Sequence, residues 1–259
     1  MVATDVHATA IVSPDAELDD GAAVGPYAVV GPAVKLGVGV SVGSHAVVEG
    51  DTTVGAGTRI FSHAVIGTVP QDIKFGGEES RLVIGESCTF REFVTVNRGT
   101  KDRRETVVGS NVLAMAYSHI AHDCVVGDNC ILSNAATLAG HVELGEYVVV
   151  GGLAAVRQFC RVGDHAFIGG LCGISKDVMP YVSVGFDPTR VVGLNTVGLQ
   201  RRGFDEKTRE YLKKAYSIVF RQELNTSQAV EKLEAELGDV PEVRKVIDFI
   251  KTSERGLLK

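Results

Sequence analysis

The segment AVGPYAVVGPAVKLGVGVSVGSHAVV, residues 23–48, carries an apolar residue at every sixth position. Those positions are Val24, Val30, Leu36, Val42 and Val48. The same frame runs from residue 6 to residue 174, and the polar residues within it are Asp72, Glu78 and Asp102. An apolar repeat of this length indicates one extended architecture rather than a set of unrelated strands.

A period of six residues fits neither the α-helical period of 3.6 nor the alternation of a long strand. It is typical of a parallel β-helix, in which each hexapeptide forms one short face and three faces complete a coil of 18 residues. The repeated apolar side chains then point inward and stack into a continuous core. The sequence therefore predicts a mainly β fold, a parallel β-helix of hexapeptide repeats.

The repeat is interrupted twice and then stops. The interruptions, near residues 68–80 and 98–106, are rich in charge and are predicted to be external loops, which on a rigid scaffold often carry binding residues. The period ends near Pro180, and residues 181–198 show no clear pattern. Helices are predicted for Asp205–Arg221, for Thr226–Leu237 before Gly238, and from Pro241 to about Ser253. We expect a β-helix domain at residues 1–183 and a small helical domain at residues 184–259.

Composition narrows the function classes. Thirty glycines, 6% aromatic residues and no tryptophan suit a tightly wound repeat. A formal net charge of −6 argues against nucleic-acid binding, and no stretch approaches the roughly 20 apolar residues of a membrane span. The N-terminus lacks a signal-peptide pattern, so a cytoplasmic location is expected.

The five cysteines form no CxxC pair and are expected to be free, buried thiols. An 18-residue coil would put Cys88, Cys124 and Cys160 in one column, two coils apart. Their separation of roughly 9.6 Å along the axis exceeds the reach of a disulfide.

The densest polar cluster is SHIAHD, residues 118–123. An 18-residue coil stacks His122, Gly140 and Gln158 in one column, and it stacks Asp123 beneath His141. A histidine beside a carboxylate can act as a general base, because the carboxylate fixes the imidazole tautomer and stabilises the imidazolium. A glycine N–H one coil away could bind an oxyanion.

The same side chains have simpler readings. Repeat proteins often carry polar residues at outward turns for solubility, and we interpret His7, His45 and His165 in this way. For His119 both roles stay open: it contributes either to the active site or only to the structure of the β-helix.

Four segments carry a specific resemblance to a known family. They are VPQDIKF (69–75), SHIAHDCVVGDNCILSNAATLAGHV (118–142), GGLAAVRQFC (151–160) and GLNTVGLQRRGF (193–204). Together, in this order, they resemble the UDP-N-acetylglucosamine 3-O-acyltransferases of lipid A biosynthesis, and the likeness covers essentially the whole chain. The resemblance implies a left-handed β-helix followed by a small α-helical domain.

The resemblance also implies a reaction. His122 would take a proton from the 3-hydroxyl of UDP-N-acetylglucosamine, which attacks the thioester of a 3-hydroxyacyl chain on acyl carrier protein. Asp123 would orient His122, and the Gly140 amide would stabilise the oxyanion. Neither a metal nor another cofactor is expected. The residues implied in sugar-nucleotide binding are Gln71, Asp72, Lys74, His119, His141, Gln158, Asn195, Arg201 and Arg202.

Further expectations concern the partners. The resemblance implies a homotrimer with the site between subunits. The acyl chain would end near Gly170, whose small size leaves room for about a myristoyl length, although Phe167 could shorten it. The acidic carrier protein would dock on cations of the first long C-terminal helix, which are Lys207, Arg209, Lys213, Lys214 and Arg221. Arg201 and Arg202 could also meet the carrier, or form only a solvated charge pair.

Two positions depart from the family pattern, and several alternatives remain. Val197 stands where an acidic residue is common and Arg157 where histidine is common, so a sugar with a 3-amino group is a possible acceptor. A zinc carbonic anhydrase would use His119, His122 and His141 as ligands. The related N-acyltransferases carry an additional N-terminal uridine-binding domain, whereas this repeat begins by residue 6. A purely structural scaffold would not need the His-Asp pair.

Overall fold

The computed structural model describes residues 3–259, which form 28 strands and four helices. The strands are β1 Asp5–Val6, β2 Ile11–Val12, β3 Glu17–Leu18, β4 Ala23–Val24, β5 Val29–Val30, β6 Val34–Leu36, β7 Ser41–Val42, β8 Val47–Val48, β9 Asp51–Val54, β10 Arg59–Ile60, β11 Val65–Thr68, β12 Arg81–Ile84, β13 Thr89–Phe90, β14 Thr95–Asn97, β15 Glu105–Val108, β16 Leu113–Ala114, β17 His119–Ile120, β18 Val125–Val126, β19 Ile131–Leu132, β20 Thr137–Leu138, β21 Glu143–Leu144, β22 Val149–Val150, β23 Ala155–Val156, β24 Arg161–Val162, β25 Phe167–Ile168, β26 Gly173–Ile174, β27 Val182–Gly185 and β28 Arg190–Leu194. The helices are α1 Thr196–Arg201, α2 Glu206–Arg221, α3 Thr226–Leu237 and α4 Pro241–Lys251.

The strands form three sheets that wrap around one core. The first face has the order β1-β4-β7-β10-β13-β16-β19-β22-β25-β27-β28, the second β2-β5-β8-β11-β14-β17-β20-β23-β26 and the third β24-β21-β18-β15-β12-β9-β6-β3. Every pair is parallel except β27 with β28. We call the turns from first to second face, from second to third and from third to first the first, second and third corners.

The core is the column that the six-residue frame predicts. Frame residues from Val24 to Ile174 are buried, whereas Val6, at the N-terminal end of the stack, is 42% exposed. Each buried Val, Leu or Ile side chain contributes about 1.5–3 kcal/mol to folding. The three polar frame residues are absent from this column, because they lie in the two loops.

Both loops leave and rejoin the helix at the second corner, and their bounds are 69–80 and 98–104. Across the first loop Arg59 pairs with Thr89, thirty residues on, and across the second Thr95 pairs with His119, twenty-four residues on. The coil with the first loop is therefore two hexapeptides longer than 18 residues, and the coil with the second loop is one hexapeptide longer. The six-residue frame is therefore unchanged after both loops, but residues 18 apart in sequence no longer stack in one column across them.

The predicted cysteine column was consequently wrong for Cys88. The Thr89–Leu113 and Leu113–Ile131 pairs align Cys88 with Cys130, while Cys124 and Cys160 share another column on the third face. All five cysteines are buried free thiols, as predicted.

The C-terminal part closes one end of the β-helix. Residues 181–198 are more regular than the sequence indicated, because they contain the β27–β28 hairpin and the start of α1. The three longer helices follow the predicted positions: Asp205 caps α2, Asn225 caps α3 with a capping box, and α4 begins at Pro241. Among the described residues, no helix is long and apolar enough to span a bilayer.

Candidate active site

The second corner brings the predicted catalytic residues together. His122 follows β17, and Asp123 adopts a left-handed backbone (φ 58°) that turns the chain into β18. Aspartate tolerates this conformation better than most residues. The next coil repeats the turn with Gly140 and His141 (φ 61°), and the His141 N–H donates to the His122 carbonyl at 3.0 Å.

His122 and Asp123 form a hydrogen-bonded pair. The distance from His122 Nδ1 to Asp123 Oδ2 is 2.8 Å, and Asp123 has no solvent exposure. A carboxylate can only accept, so Nδ1 carries a proton, and in the neutral imidazole Nε2 is then the acceptor. This is the arrangement of a histidine general base oriented by a carboxylate.

The second loop supplies further donors to Asp123. The Thr100 N–H donates to Oδ1 at 3.0 Å, the Thr100 hydroxyl donates to Oδ2 at 2.7 Å, and the Arg103 N–H donates to Oδ1 at 3.3 Å. Burial alone would raise the pKa of Asp123, but the bonds from His122 and Thr100 outweigh it and lower the pKa to about 2. Asp123 is therefore ionised at neutral pH and can stabilise an imidazolium.

His141 and Phe159 extend the site along the corner. The His141 ring meets the His122 ring edge-to-face at a centroid distance of 5.3 Å and stacks on Phe159 at 4.4 Å. His141 Nε2 lies 3.5 Å from Asp123 Oδ2 and 3.8 Å from Asp102 Oδ2. Burial lowers the pKa of His141, although the Asp123 charge opposes this effect.

Gly140 packs directly against the His122 imidazole. A Cβ at this position would lie 2.5 Å from His122 Cε1 and 2.7 Å from Nε2. Any larger residue would therefore displace the ring. None of the described residues accepts a hydrogen bond from the Gly140 N–H, so this donor is free to bind a substrate oxygen.

The other predicted residues of this corner lie at increasing distance from His122. His119 is on the second face, with Nδ1 2.7 Å from Thr95 Oγ1, and burial lowers its pKa. Gln158 is exposed, two coils on from His122, with the exposed Arg157 beside it. Both fit a site that extends along the corner.

The first loop carries three more predicted residues, Gln71, Asp72 and Lys74. Gln71 and Lys74 are exposed, and Asp72 Oδ1 accepts from the Lys74 N–H at 2.9 Å. Ile73 between them is fully exposed. No contact joins these three residues to His122 within the described chain.

Asn195, Arg201 and Arg202 lie elsewhere, beside the third corner. The Asn195 amide donates to the His165 carbonyl at 2.8 Å and accepts from the Gly198 N–H at 3.1 Å, which caps α1. The Arg202 guanidinium lies 4.3 Å from the Tyr147 ring centroid, and Arg201 is exposed. One chain therefore does not bring these residues to His122.

His165 is packed rather than solvated at this corner. It stacks between Tyr147 and Tyr181, and burial lowers its pKa to about 4. The surface interpretation of His165 was wrong.

The two predicted acyl-chain residues are near the first corner. Phe167 is 38% exposed on the first face, and Gly170 is exposed at the turn that follows. A Cβ at Gly170 would lie 3.1 Å from the Gly152 carbonyl oxygen. Gly170 is three coils on from Ala116, the matching position in the coil of His122, or roughly 14 Å along the axis.

The residues whose donor atoms cluster in the structure are not the three histidines of the zinc hypothesis, His119, His122 and His141. The donor atoms within 4.8 Å of one another belong to His122, Asp123 and His141, whereas His119 bonds to Thr95. Both oxygens of Asp123 already accept hydrogen bonds from protein groups. This environment favours a catalytic pair over a metal ligand set.

Sequence reasoning missed the groups that hold the pair in place. Thr100 and Arg103 reach Asp123 from an irregular loop, and Arg255 reaches Phe159 from the chain's last residues, with its guanidinium 5.1 Å from the ring centroid. No periodic signal marks them. The only hint was that the second loop precedes SHIAHD in the same coil.

Two family models match this chain. Residues 177–258 match the model described as UDP-N-acetylglucosamine O-acyltransferase, domain 2, and residues 105–140 match the bacterial transferase hexapeptide model of six repeats. The second model covers the coil that contains His122.

Curated relatives cover nearly the whole chain. A protein of Aquifex aeolicus (strain VF5) is 59% identical over 255 residues, 98% of each chain, and one of Thermodesulfovibrio yellowstonii is 43% identical over 256 residues, 98% of this chain and 99% of the relative. Both are named acyl-(acyl-carrier-protein)–UDP-N-acetylglucosamine O-acyltransferase.

Solved structures agree in fold. LpxA of Bacteroides fragilis, a UDP-N-acetylglucosamine acyltransferase, superposes with a TM-score of 0.96 at 38% identity, covering 98% of this chain and 99% of that one. The Arabidopsis UDP-N-acetylglucosamine acyltransferase superposes with a TM-score of 0.85 at 34% identity, covering 98% of this chain and all of that one. The predicted left-handed β-helix with a small helical domain is confirmed. The chain belongs to the family of UDP-N-acetylglucosamine O-acyltransferases.

Proposed function

We propose that this protein transfers a 3-hydroxyacyl chain from acyl carrier protein to the 3-hydroxyl of UDP-N-acetylglucosamine, the first step of lipid A biosynthesis. The observation that carries the proposal is the His122–Asp123 pair. Nδ1 donates to Asp123 Oδ2 at 2.8 Å, so Nε2 of the neutral imidazole is the atom that can accept a proton, beside Gly140. Family membership supports the substrates, because the relatives are named for this activity.

The proposed mechanism uses protein groups only. His122 Nε2 removes the proton from the sugar 3-hydroxyl as that oxygen attacks the thioester carbonyl carbon. The Gly140 N–H donates to the resulting oxyanion, and the Asp123 carboxylate stabilises the imidazolium. When the carbon–sulfur bond breaks, the imidazolium returns its proton to the departing thiolate.

A sugar with a 3-amino group remains the second candidate acceptor. An amine attacks the same thioester, so the His122 geometry is compatible with both. Arg157 is exposed beside Gln158, and Val197 is 60% exposed on α1. These are the two positions that depart from the family pattern.

The test is acyl transfer from a ladder of 3-hydroxyacyl carrier proteins to UDP-N-acetylglucosamine and to its 3-amino analogue. We compare wild type with His122→Ala and with His7→Ala, a control at an exposed histidine outside the ring stack of the first corner. Transfer to the 3-hydroxyl that His122→Ala reduces at least 10²-fold, with His7→Ala unaffected, supports the proposal. If transfer occurs only to the 3-amino sugar, that sugar is the acceptor instead. If transfer occurs to neither sugar, the assignment of the substrates is contradicted.

We infer that the active unit is a homotrimer whose site combines residues of two subunits. His122 lies at the second corner and Arg202 at the third, so within one chain the two residues occupy different edges of the β-helix. An exposed stack of five rings also runs along the first corner from Tyr27 to Tyr117, with centroid spacings of 4.9–5.1 Å. Exposed apolar surface of this kind favours association between subunits.

Mixed assemblies test the shared site. The variants His122→Ala and Arg202→Ala are refolded separately and then together. If the two residues come from different subunits, mixed assemblies contain some interfaces with both wild-type residues, and activity returns. If the mixture regains no activity, the shared site is contradicted. The same conclusion follows if light scattering shows a monomer and that monomer is fully active.

We propose that the acyl carrier protein docks on the basic surface of α2. Of its cations, Lys214 already pairs with Glu236 at 2.7 Å, and Arg221 lies over Tyr216. Lys213 is exposed and has no carboxylate partner among residues 3–259. Lys213→Ala should therefore raise KM for the carrier at low salt more than Lys214→Ala, and equal unchanged values contradict the proposal.

The acyl chain is proposed to end near Gly170. The roughly 14 Å between the coil of His122 and the coil of Gly170 supports a long chain of about myristoyl length. Gly170→Met should shift the preferred donor to shorter chains, while Phe167→Ala should shift it to longer ones. If neither substitution changes which acyl-chain length is transferred fastest, this location is contradicted.

A further inference from the structure

The last residues of the chain are tied back onto the β-helix. Their anchor is Asp177, which is buried. The Asp177 N–H donates to the Gly256 carbonyl at 3.0 Å, the Leu258 N–H donates to the Asp177 carbonyl at 2.8 Å, and the Ser253 hydroxyl donates to Asp177 Oδ2 at 2.7 Å. Asp177 Oδ1 accepts from the Arg161 N–H at 2.8 Å, so the carboxylate binds the tail and the coil together.

This attachment brings Arg255 to the active site. Its guanidinium lies 5.1 Å from the ring centroid of Phe159, and Phe159 stacks on His141, the neighbour of His122. A cavity of about 540 Å³ opens here, with Arg103, His141, Phe159, Arg161 and Arg255 among its lining residues. The cavity is therefore one aromatic ring away from the proposed base.

The arginines of the cavity differ in their partners. Arg103 and Arg161 share the Glu143 carboxylate, at 2.5 Å and 3.6 Å. Arg161 also donates to the Thr252 carbonyl at 3.1 Å. Arg255 is exposed, and no carboxylate of residues 3–259 lies within 4.0 Å of it. It is the arginine of this cavity that has no ion-pair partner among the described residues, although Glu143, Asp177 and Glu254 also line the cavity.

We propose that Arg255 binds a phosphate ester of a substrate in this cavity, a proposal that rests on the proposed transferase function. A guanidinium offers planar pairs of N–H donors that match phosphate oxygens, and stacking on Phe159 limits its freedom before binding. Both substrates carry such a group: the diphosphate of the sugar nucleotide, and the phosphodiester that joins the acyl-bearing arm to the carrier protein. Arg255 is then a residue of substrate binding, not of proton transfer.

Kinetics identify the ligand. The variants are Arg255→Ala, Arg255→Lys, which keeps the charge but loses the planar pairs of N–H donors, and Arg190→Ala, a control at an exposed arginine outside this cavity. Arg255→Ala should raise one KM about tenfold and leave kcat nearly unchanged, with Arg255→Lys intermediate and Arg190→Ala close to wild type. A higher KM for the sugar nucleotide assigns its diphosphate, and a higher KM for the acyl carrier assigns the arm. Unchanged KM values for both overturn the proposal.

A binding measurement separates this proposal from the transferase assignment. Calorimetry with UDP, inorganic pyrophosphate and 4′-phosphopantetheine is performed on wild type, Arg255→Ala and Arg190→Ala. Weaker binding of at least one probe to Arg255→Ala alone supports the phosphate site, even if no acyl transfer is observed. Equal affinities for every probe overturn it, even if transfer is observed. Equal melting temperatures of the variants exclude release of the tail as the cause.

Discussion

Replacement of Gly140 by alanine should abolish most activity without removing any hydrogen-bonding group. The new Cβ would lie 2.5 Å from His122 Cε1, whereas ordinary contacts begin at 3.4 Å. Relief therefore requires a displacement of the imidazole of about 1 Å. A misplacement of that size in a catalytic group costs on the order of 10²-fold in rate.

The assay measures kcat with both substrates saturating, in wild type and in two variants. Gly152→Ala is the matched control, because its Cβ would meet only the Asn134 carbonyl oxygen, at 3.4 Å, and no positive φ is involved at either glycine. We expect Gly140→Ala to lose about 10²-fold and Gly152→Ala to stay near wild type. More than half of the wild-type rate in folded Gly140→Ala would refute the packing argument.

A double-mutant cycle attributes the effect to His122. Overpacking should make Gly140→Ala less stable by about 1–3 kcal/mol in wild type. In the His122→Ala background the clashing ring is absent, so the same change should cost little. Equal costs in both backgrounds would mean that the alanine disturbs the backbone rather than the imidazole.

Three further predictions follow from the fold. Thr100→Val removes one donor from Asp123 and should lower the free energy of unfolding by about 2 kcal/mol at pH 7. Because the pKa of Asp123 is lowered to about 2, this loss of stability should be full above about pH 4 and should vanish as the pH falls through 2. Urea titrations at several pH values would check it. Burial raises the pKa of Cys124 and Cys130 to about 12, so no thiol should react with a disulfide reagent at pH 8 until the protein unfolds. Asn225→Ala, which removes the cap of α3, should cost about 1 kcal/mol in the same unfolding assay.

The sequence could predict the β-helix because its signal is strictly periodic. Each frame residue, such as Ile120 or Leu138, occupies an equivalent buried position, so many weak local preferences point to one architecture. The contact of Asp123 with His141 was predictable by the same rule, since the two positions are one coil apart. It is confirmed by the Oδ2–Nε2 distance of 3.5 Å.

The remaining contacts depend on chain segments that the period does not describe. Thr100 reaches Asp123 because the second loop folds back over its own corner, and Arg255 reaches Phe159 across 96 residues of sequence (255 − 159). The misplaced Cys88 shows a subtler limit. Loops that leave and rejoin one corner can have any length, and here their lengths preserve the six-residue frame while they shift the 18-residue count.

The geometry of a solenoid explains why the proposed catalytic groups are concentrated along one edge. Each corner presents one turn per coil, at a spacing of about 4.8 Å, so a site larger than a few atoms must extend over several coils. The second corner does so: His122, Gly140 and Gln158 are successive positions along it, and both loops are inserted there. The proposed product, which joins a nucleotide, a sugar and a long acyl chain, suits an extended surface better than a closed pocket. The same reasoning accounts for the position of the tail, because Arg255 meets this edge one coil beyond His141, where the proposed phosphate would lie.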